Sequence, residues 1–336
     1  MEIFSYDQKF SLEGGGSLPE LEIAYTTHGT LSPEKDNVVW VFHALTANAN
    51  PLEWWSGLIG RNDLFSPSEH FIVCANMLGS CYGTTGPDHI NPETGEKYGL
   101  HFPLVTVRDM VKAHKLLQKN LGFEKIHLGI GGSMGGQQLL EWAVQEVNLF
   151  ENICLVATNA KHSPWGVAFN ASQRLALAAD PTLKYTYDGA GEGGLKAARA
   201  IAMLSYRNQG TYALTQTDDD SKIDDFKASS YQAYQGDKLV KRFSPHAYWV
   251  LSKAMDSHNI ARCRGQAEEV LAKIKSNALI LGLENDILFQ TSEQEFLAQH
   301  IPKSKFKLVA SKYGHDGFLI ETESISNYIK EFLQKT

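Results

Sequence analysis

Five short runs of the chain are almost wholly apolar: Val38–Phe42, Phe71–Ala75, 126–130, 153–157 and 278–282. A strand with one wet face alternates apolar and polar side chains. A run without that alternation belongs to a strand buried on both faces, as in a parallel sheet covered by helices. Helical patterns separate several of the runs, notably over Val107–Leu121 and 135–147. Strand and helix in alternation predict βαβ units and an open α/β sheet. Segments 2–10 and 20–25 flank the Gly14-Gly15-Gly16 turn and read as an antiparallel hairpin at the sheet edge. Those glycines are no phosphate loop, because no helix and no Gly-Lys-Ser/Thr follow them.

Between 161 and 275 the strand signal stops. Helical patterns over 165–179, 195–206, 223–235 and 245–255 alternate with turn-rich pieces such as 188–194 and Thr217-Asp218-Asp219-Asp220. The expected organisation is therefore a core made of 1–160 and 276–336, with 161–275 inserted as a helical lid. The acidic run Asp218–Asp220 reads as a solvated loop and helix start rather than a metal site. Of 336 residues, 43% are hydrophobic and 21% charged, which suits one large core carrying an insertion.

The most informative segment is Ile130-Gly131-Gly132-Ser133-Met134-Gly135-Gly136, a Gly-x-Ser-x-Gly between a strand pattern and a helix pattern. That context marks a nucleophile elbow. The turn is tight enough that side chains at 131 and 135 would collide, and it lifts Ser133 to the positive end of the following helix. A serine hydroxyl needs a base, and the base needs an orienting acid, in the chain order Ser, Asp or Glu, His. Glu284-Asn285-Asp286 follows the 278–282 run, and Tyr313-Gly314-His315-Asp316 follows the next short run at 306–309. His315 as base with Asp286 as orienter fits that order. Glu284 is the rival acid, placed closer to the strand end, and a side chain at Asp316 diverges from its neighbour His315. The loop His43-Ala44-Leu45-Thr46 follows Val38–Phe42, where such a fold places its second oxyanion donor. The expected oxyanion hole is the backbone N–H of Leu45 and of Met134, with His43 bracing the loop.

These residues, and others along nearly the whole chain, resemble the homoserine O-acetyltransferases, acyl-CoA-dependent members of the α/β-hydrolase superfamily. The resemblance lies in His43-Ala44-Leu45-Thr46, Trp54-Trp55, Phe102-Pro103, Gly131 to Gly136, Glu141-Trp142-Ala143, Ala198-Arg199 and Tyr231-Gln232. It continues in Lys241-Arg242-Phe243, Ala254-Met255-Asp256, Asp286-Ile287-Leu288-Phe289 and Gly314-His315-Asp316. Its most specific part is Asn76-Met77-Leu78-Gly79-Ser80-Cys81-Tyr82-Gly83-Thr84-Thr85-Gly86-Pro87. Two departures are Ala47-Asn48, where glycine commonly follows the threonine, and Gln290 in place of the usual proline. The first touches the shape of the acyl pocket.

The resemblance implies an α/β-hydrolase fold, a mostly parallel sheet flanked by helices with an inserted helical lid. It implies ping-pong transfer of acetyl from acetyl-CoA through Ser133 to the γ-hydroxyl of L-homoserine, a step toward methionine. It places Arg199 on the acceptor carboxylate and Asp316 on its ammonium, and it implies a homodimer through the lid. A planar guanidinium suits a carboxylate. An ordinary helix salt bridge is the competing reading of Arg199, and Arg207 is the fallback cation. Succinyl-CoA as donor, serine as acceptor, an esterase of the same fold and a non-catalytic binding protein remain open alternatives. No metal or resident cofactor is expected; CoA enters as the carrier of a substrate.

The formal charge of −7 argues against nucleic acid and membrane surfaces as partners. It is an average over unlike parts: 161–275 holds 16 Lys and Arg against 12 Asp and Glu, the remainder 15 against 26. Lys238, Lys241, Arg242, Arg262 and Arg264 are the candidate contacts for CoA phosphates. Cys74, Cys81, Cys154 and Cys263 show neither zinc spacing nor disulfide density, and the first residues do not have the layout of a signal peptide. A reducing cytoplasm is the expected compartment.

Overall fold

Eight strands form one sheet in the computed structural model, which describes residues 1–335. The strands are β1 (Glu2–Tyr6), β4 (Leu21–His28), β5 (Val38–Phe42), β6 (Phe71–Ala75), β7 (Ile126–Gly132), β8 (Phe150–Val156), β9 (Asn277–Leu283) and β10 (Ser304–Val309). Between the first two lie β2 (Phe10–Ser11) and β3 (Ser17–Leu18), a separate two-stranded ladder. The sheet order is β1-β4-β6-β5-β7-β8-β9-β10. From β6 onward the pairs are parallel, and β4 runs antiparallel to both of its neighbours.

The unalternated runs occupy the middle of this sheet for the reason their composition implies. In β5, Trp40 and Phe42 enter one apolar cluster while Val39 and Val41 enter the cluster on the opposite face. Helices lie against both faces. In chain order the helices of the molecule are α1 (Pro51–Trp54), α2 (Val107–Leu121), α3 (Met134–Gln145), α4 (Pro164–Ala178), α5 (Glu192–Tyr206), α6 (Gln209–Thr215), α7 (Lys227–Val240), α8 (Pro245–Asp256), α9 (Ala267–Leu271), α10 (Thr291–His300), α11 (Gly317–Ile320) and α12 (Thr322–Leu333). Helix α2 starts where its sequence says it should. The Thr106 side chain accepts from the Asp109 N–H, Asp109 accepts from the Thr106 N–H, and Gly122 closes the helix at φ 77°.

Helices α4 to α9 all fall between β8 and β9, and α4, α5, α7 and α8 pack on one another. Two expectations shift. The Gly14–Gly16 turn closes the small β2–β3 ladder, while the edge pairing of the sheet is β1 with β4, with Glu2 opposite Tyr25. Helix α7 begins at Lys227 rather than near 223, leaving Ile223 outside it and 93% exposed. Among the described residues no helix is long and apolar enough to cross a membrane.

Candidate active site

Strands β5, β7, β8, β9 and β10 end on the same edge of the sheet, and the loops that leave them build the site. At the end of β7, Ser133 stands at φ 56° and ψ −126°, and α3 starts with the next residue. A non-glycine residue in that region carries about 1–3 kcal/mol of strain, held by its surroundings. The turn tolerates no Cβ beside it. One on Gly131 would lie 2.5 Å from the Gly135 carbonyl carbon, and one on Gly135 2.1 Å from the Phe42 carbonyl oxygen. The Ser133 N–H donates to Val156 O (3.0 Å), and Ser133 O accepts from Thr158 Oγ1 (2.9 Å).

Asp286 lies on the loop after β9, with its Oδ1 accepting the backbone N–H groups of Leu288 (2.8 Å) and Phe289 (3.0 Å). Its Oδ2 accepts from His315 Nδ1 at 2.7 Å. That bond puts the proton of a neutral imidazole on Nδ1 and leaves Nε2 as the basic nitrogen. The ring is stacked on Phe289 (5.0 Å, 20°) and 3% exposed. Ser133 and His315 line one cavity of about 490 Å³. Among the described residues no hydrogen bond joins their side chains, and such contacts commonly close only around substrate. The rival acid, Glu284, is exposed.

The loop after β5 turns at Ala44–Ala47, with the Ala47 N–H donating to Ala44 O (3.0 Å). Within the described residues the Leu45 N–H has no acceptor, and Met134, as the first residue of α3, has an N–H that the helix cannot use. Both are therefore free to hold an oxyanion. His43 sits beneath this loop. Its Nε2 accepts the Met77 N–H (3.1 Å) and its Nδ1 donates to Ala44 O (2.9 Å). Complete burial holds the ring neutral, its pKa pushed down to about 4. His43 is a brace.

Arg199 and Asp316 line the cavity with Ser133. Among the described residues Arg199 makes no hydrogen bond or ion pair: its guanidinium lies 5.2 Å from the Tyr206 ring centre and its Nε is buried without a partner. The helix salt bridge that would explain it away is absent there. Asp316 is already occupied, because Arg207 Nε stands 2.9 Å from its Oδ2, side-on enough that the contact is an ion pair and no hydrogen bond. Burial raises the Asp316 carboxyl above its ordinary value, against the pull of Arg207 and Arg199. Arg207, held as a fallback for a substrate carboxylate, serves Asp316 instead. Tyr206 was not foreseen, although its place two helical turns after Arg199 puts both on one face of α5.

Of the five basic residues proposed for phosphates, Lys238 and Arg242 line this cavity. Lys241 lines a neighbouring hollow of about 430 Å³ that shares Tyr82 and Arg242 with it. Arg262 and Arg264 do neither. Arg262 pairs with Glu13 (2.7 Å) and Arg264 with the buried Glu141 (2.5 Å), tying the end of the inserted segment to the core. The acidic run likewise serves its own loop: Asp218 accepts from Lys222 Nζ and the Lys227 N–H, both at 2.9 Å.

Fold and site together define a serine acyl-transfer class of α/β protein, with elbow, acid–histidine pair and free N–H groups at one sheet edge. The sequence profile of the alpha/beta hydrolase fold matches residues 37–322. The chain is 50% identical over 331 residues to homoserine O-acetyltransferase of Cyclobacterium marinum, covering 98% of this chain and 94% of that one. It is 42% identical to the homoserine O-acetyltransferase of Trichormus variabilis, covering 99% and 94%. The crystal structure of homoserine O-acetyltransferase from Bacillus anthracis superposes with a TM-score of 0.92 at 22% identity, covering 99% and 96%. That of esterase E22 does so at 0.91 and 22%, covering 99% of each chain, so these two likenesses speak to the fold alone. The chain belongs to the homoserine O-acetyltransferase family of the α/β-hydrolase fold.

Proposed function

We propose that the protein transfers an acetyl group from acetyl-CoA to the γ-hydroxyl of L-homoserine through an acetyl-Ser133 intermediate. Relatives matched over nearly the whole chain length are named homoserine O-acetyltransferases, which supports this reading. The observation that carries the acceptor is Arg199, an unpaired guanidinium in the cavity of Ser133 and His315. An esterase acting on simple acetates needs no such group; an acceptor bearing a carboxylate does.

Ser133 Oγ attacks the thioester carbon while His315 Nε2 takes its proton, and the Leu45 and Met134 N–H groups hold the oxyanion. Collapse breaks the C–S bond, and CoA leaves with the proton from His315. Homoserine then enters, its carboxylate on Arg199 and its ammonium toward Asp316. His315 takes the γ-hydroxyl proton, the oxygen attacks the acyl carbon, and the proton returns to Ser133 Oγ as O-acetyl-L-homoserine departs. Asp286 stabilises the imidazolium in both halves. The inserted helices, as a lid over Ser133, exclude the water that would otherwise hydrolyse the acyl-enzyme. Acetyl-CoA is thus a co-substrate, and Ser133 itself carries the acyl group; the compartment we assign to the reaction is the cytoplasm.

The test crosses acetyl- and succinyl-CoA with homoserine and serine, with hydroxylamine-sensitive labelling of Ser133 as the second readout. The expected result is acetylation of Ser133 and fastest turnover with acetyl-CoA and homoserine. Free acetate release unaffected by homoserine, or equal rates across the panel, would overturn the reading. A homodimer through the lid belongs to the same proposal. Leu204, Leu214, Ile223 and Phe226, on α5, α6 and the turn before α7, are 52%, 70%, 93% and 42% exposed, apolar side chains that a second copy would cover. Light scattering should return about twice 37.3 kDa, and the single-chain mass refutes the dimer.

A further inference from the structure

The loop that offers the Leu45 N–H is held from two sides. From the core, His43 Nδ1 donates to Ala44 O. From the lid, Arg242 reaches across with one nitrogen, Nη1, which donates both to Thr46 O and to the Tyr82 hydroxyl oxygen, the latter at 2.9 Å. Phe243, the next lid residue, packs edge-on against the Tyr82 ring at 5.7 Å. Thr46 immediately follows Leu45, so the carbonyl that Arg242 grips belongs to the turn whose N–H faces the cavity. An oxyanion donor works only when aimed within about 2.7–3.1 Å of the developing charge. A short loop meets that demand only when its other polar groups are fixed.

We propose that Arg242 is a positioning residue, a lid guanidinium that locks the oxyanion loop so that the Leu45 N–H is aimed only when the lid is packed on the core. This rests on the reading of Ser133 as the acylated residue and Leu45 as a donor to its oxyanion. It is a different role from gripping a CoA phosphate. A phosphate contact helps only the nucleotide donor and acts through its KM, whereas a misaimed oxyanion hole slows acylation by any acyl donor.

The experiment compares acetyl-CoA with p-nitrophenyl acetate, which has no phosphate, on wild type, Arg242→Ala, Arg242→Lys, Tyr82→Phe and Ser133→Ala. Pre-steady-state acylation and steady-state kcat and KM are read for each. Arg242→Ala should slow acylation by both donors about ten-fold, a fraction of what loss of a whole donor costs. The acetyl-CoA KM should move less than three-fold. Arg242→Lys, with one ammonium able to reach Thr46 O, should recover part of the rate with both donors, and Tyr82→Phe should cost two- to three-fold. Unchanged acylation by p-nitrophenyl acetate, with or without a rise in the acetyl-CoA KM, overturns the proposal. Should Arg242→Ala fail to fold, Arg242→Lys decides: wild-type acylation by p-nitrophenyl acetate refutes the clamp, and a several-fold loss supports it. If Ser133→Ala still acylates, the reading of the nucleophile has failed, and the two failures are told apart.

Discussion

Three charges, Arg199, Arg207 and Asp316, lie in or beside the part of the cavity proposed for the acceptor, and each is in a different state. Arg199 has no hydrogen-bond or ion-pair partner among the described residues, Arg207 holds Asp316 from the side, and Asp316 feels the charges of both cations. An incoming amino acid therefore finds one open cation and one carboxylate whose charge is already partly met. The carboxylate of the substrate should draw more of its binding from Arg199 than its ammonium draws from Asp316. Arg199→Lys keeps the charge and loses the planar fork. It should raise the homoserine KM about ten-fold, equivalent to ~1.4 kcal/mol. The rate of Ser133 acetylation by acetyl-CoA should stay within two-fold of wild type. Stopped-flow acylation alongside steady-state turnover separates the two, and a parallel loss in both halves would place Arg199 outside the acceptor site. The arrangement was half legible in the sequence. Arg199 could be singled out by its residue type and the resemblance, but the Arg207–Asp316 contact joins the end of α5 to the loop after β10. No local spacing announces it.

At the scale of elements, the elbow is a junction of three backbones that approach too closely for side chains. Gly135 is the sharpest case, since a Cβ there would overlap the carbonyl of Phe42, at the end of a strand paired on both sides by β6 and β7. Neither partner can yield without disturbing the centre of the sheet. Gly135→Ala should cost about 3 kcal/mol or more. Gly14→Ala, where the nearest atoms stand at 3.8 Å and no positive φ is required, should be near neutral. Urea midpoints measured side by side check this, and equal midpoints would mean the elbow can relax. Because such constraints are local, the elbow and the doubly buried strands were readable from residue order alone. Helix α6 was not, since seven residues after the Asn208 cap give too short a pattern. The start of α7 was displaced because Ile223, apolar and in phase, lies in solvent instead.

Taken as a whole, the molecule uses charge to fasten its insertion, and burial to keep histidines neutral. Arg262 and Arg264, from the segment between β8 and β9, meet Glu13 and Glu141 across 249 and 123 residues of chain, so bases that looked available for a polyanion are spent on the core. Residue counts separate the charged halves of the sequence; only the fold says which charges face each other. The neutral histidines carry a further consequence. His43 and His162 are held down to about 4, and His114 and His258 to about 3, each chiefly by burial. Unfolded, each binds a proton near 6.5, so between that value and the folded one the unfolded chain holds more protons. Their contribution is complete above pH 6.5 and is lost as the pH falls, at up to ~1.4 kcal/mol per group for each unit. Glu293 works the other way. Burial lifts its carboxyl to about 7, so the folded chain holds the extra proton between 4.5 and 7 and loses stability as the pH rises through that window. Among the largest shifts in this pH range four groups oppose one, and acidification should win. The urea midpoint should fall steeply from pH 6.5 to pH 5, by more than any one histidine explains. His114→Phe, inside the ring cluster of Trp40, Phe42 and Trp142, should flatten that slope by roughly a third, one group of a net three. A midpoint that holds level between pH 6.5 and 5 would show that these rings do not enter the folded protein neutral.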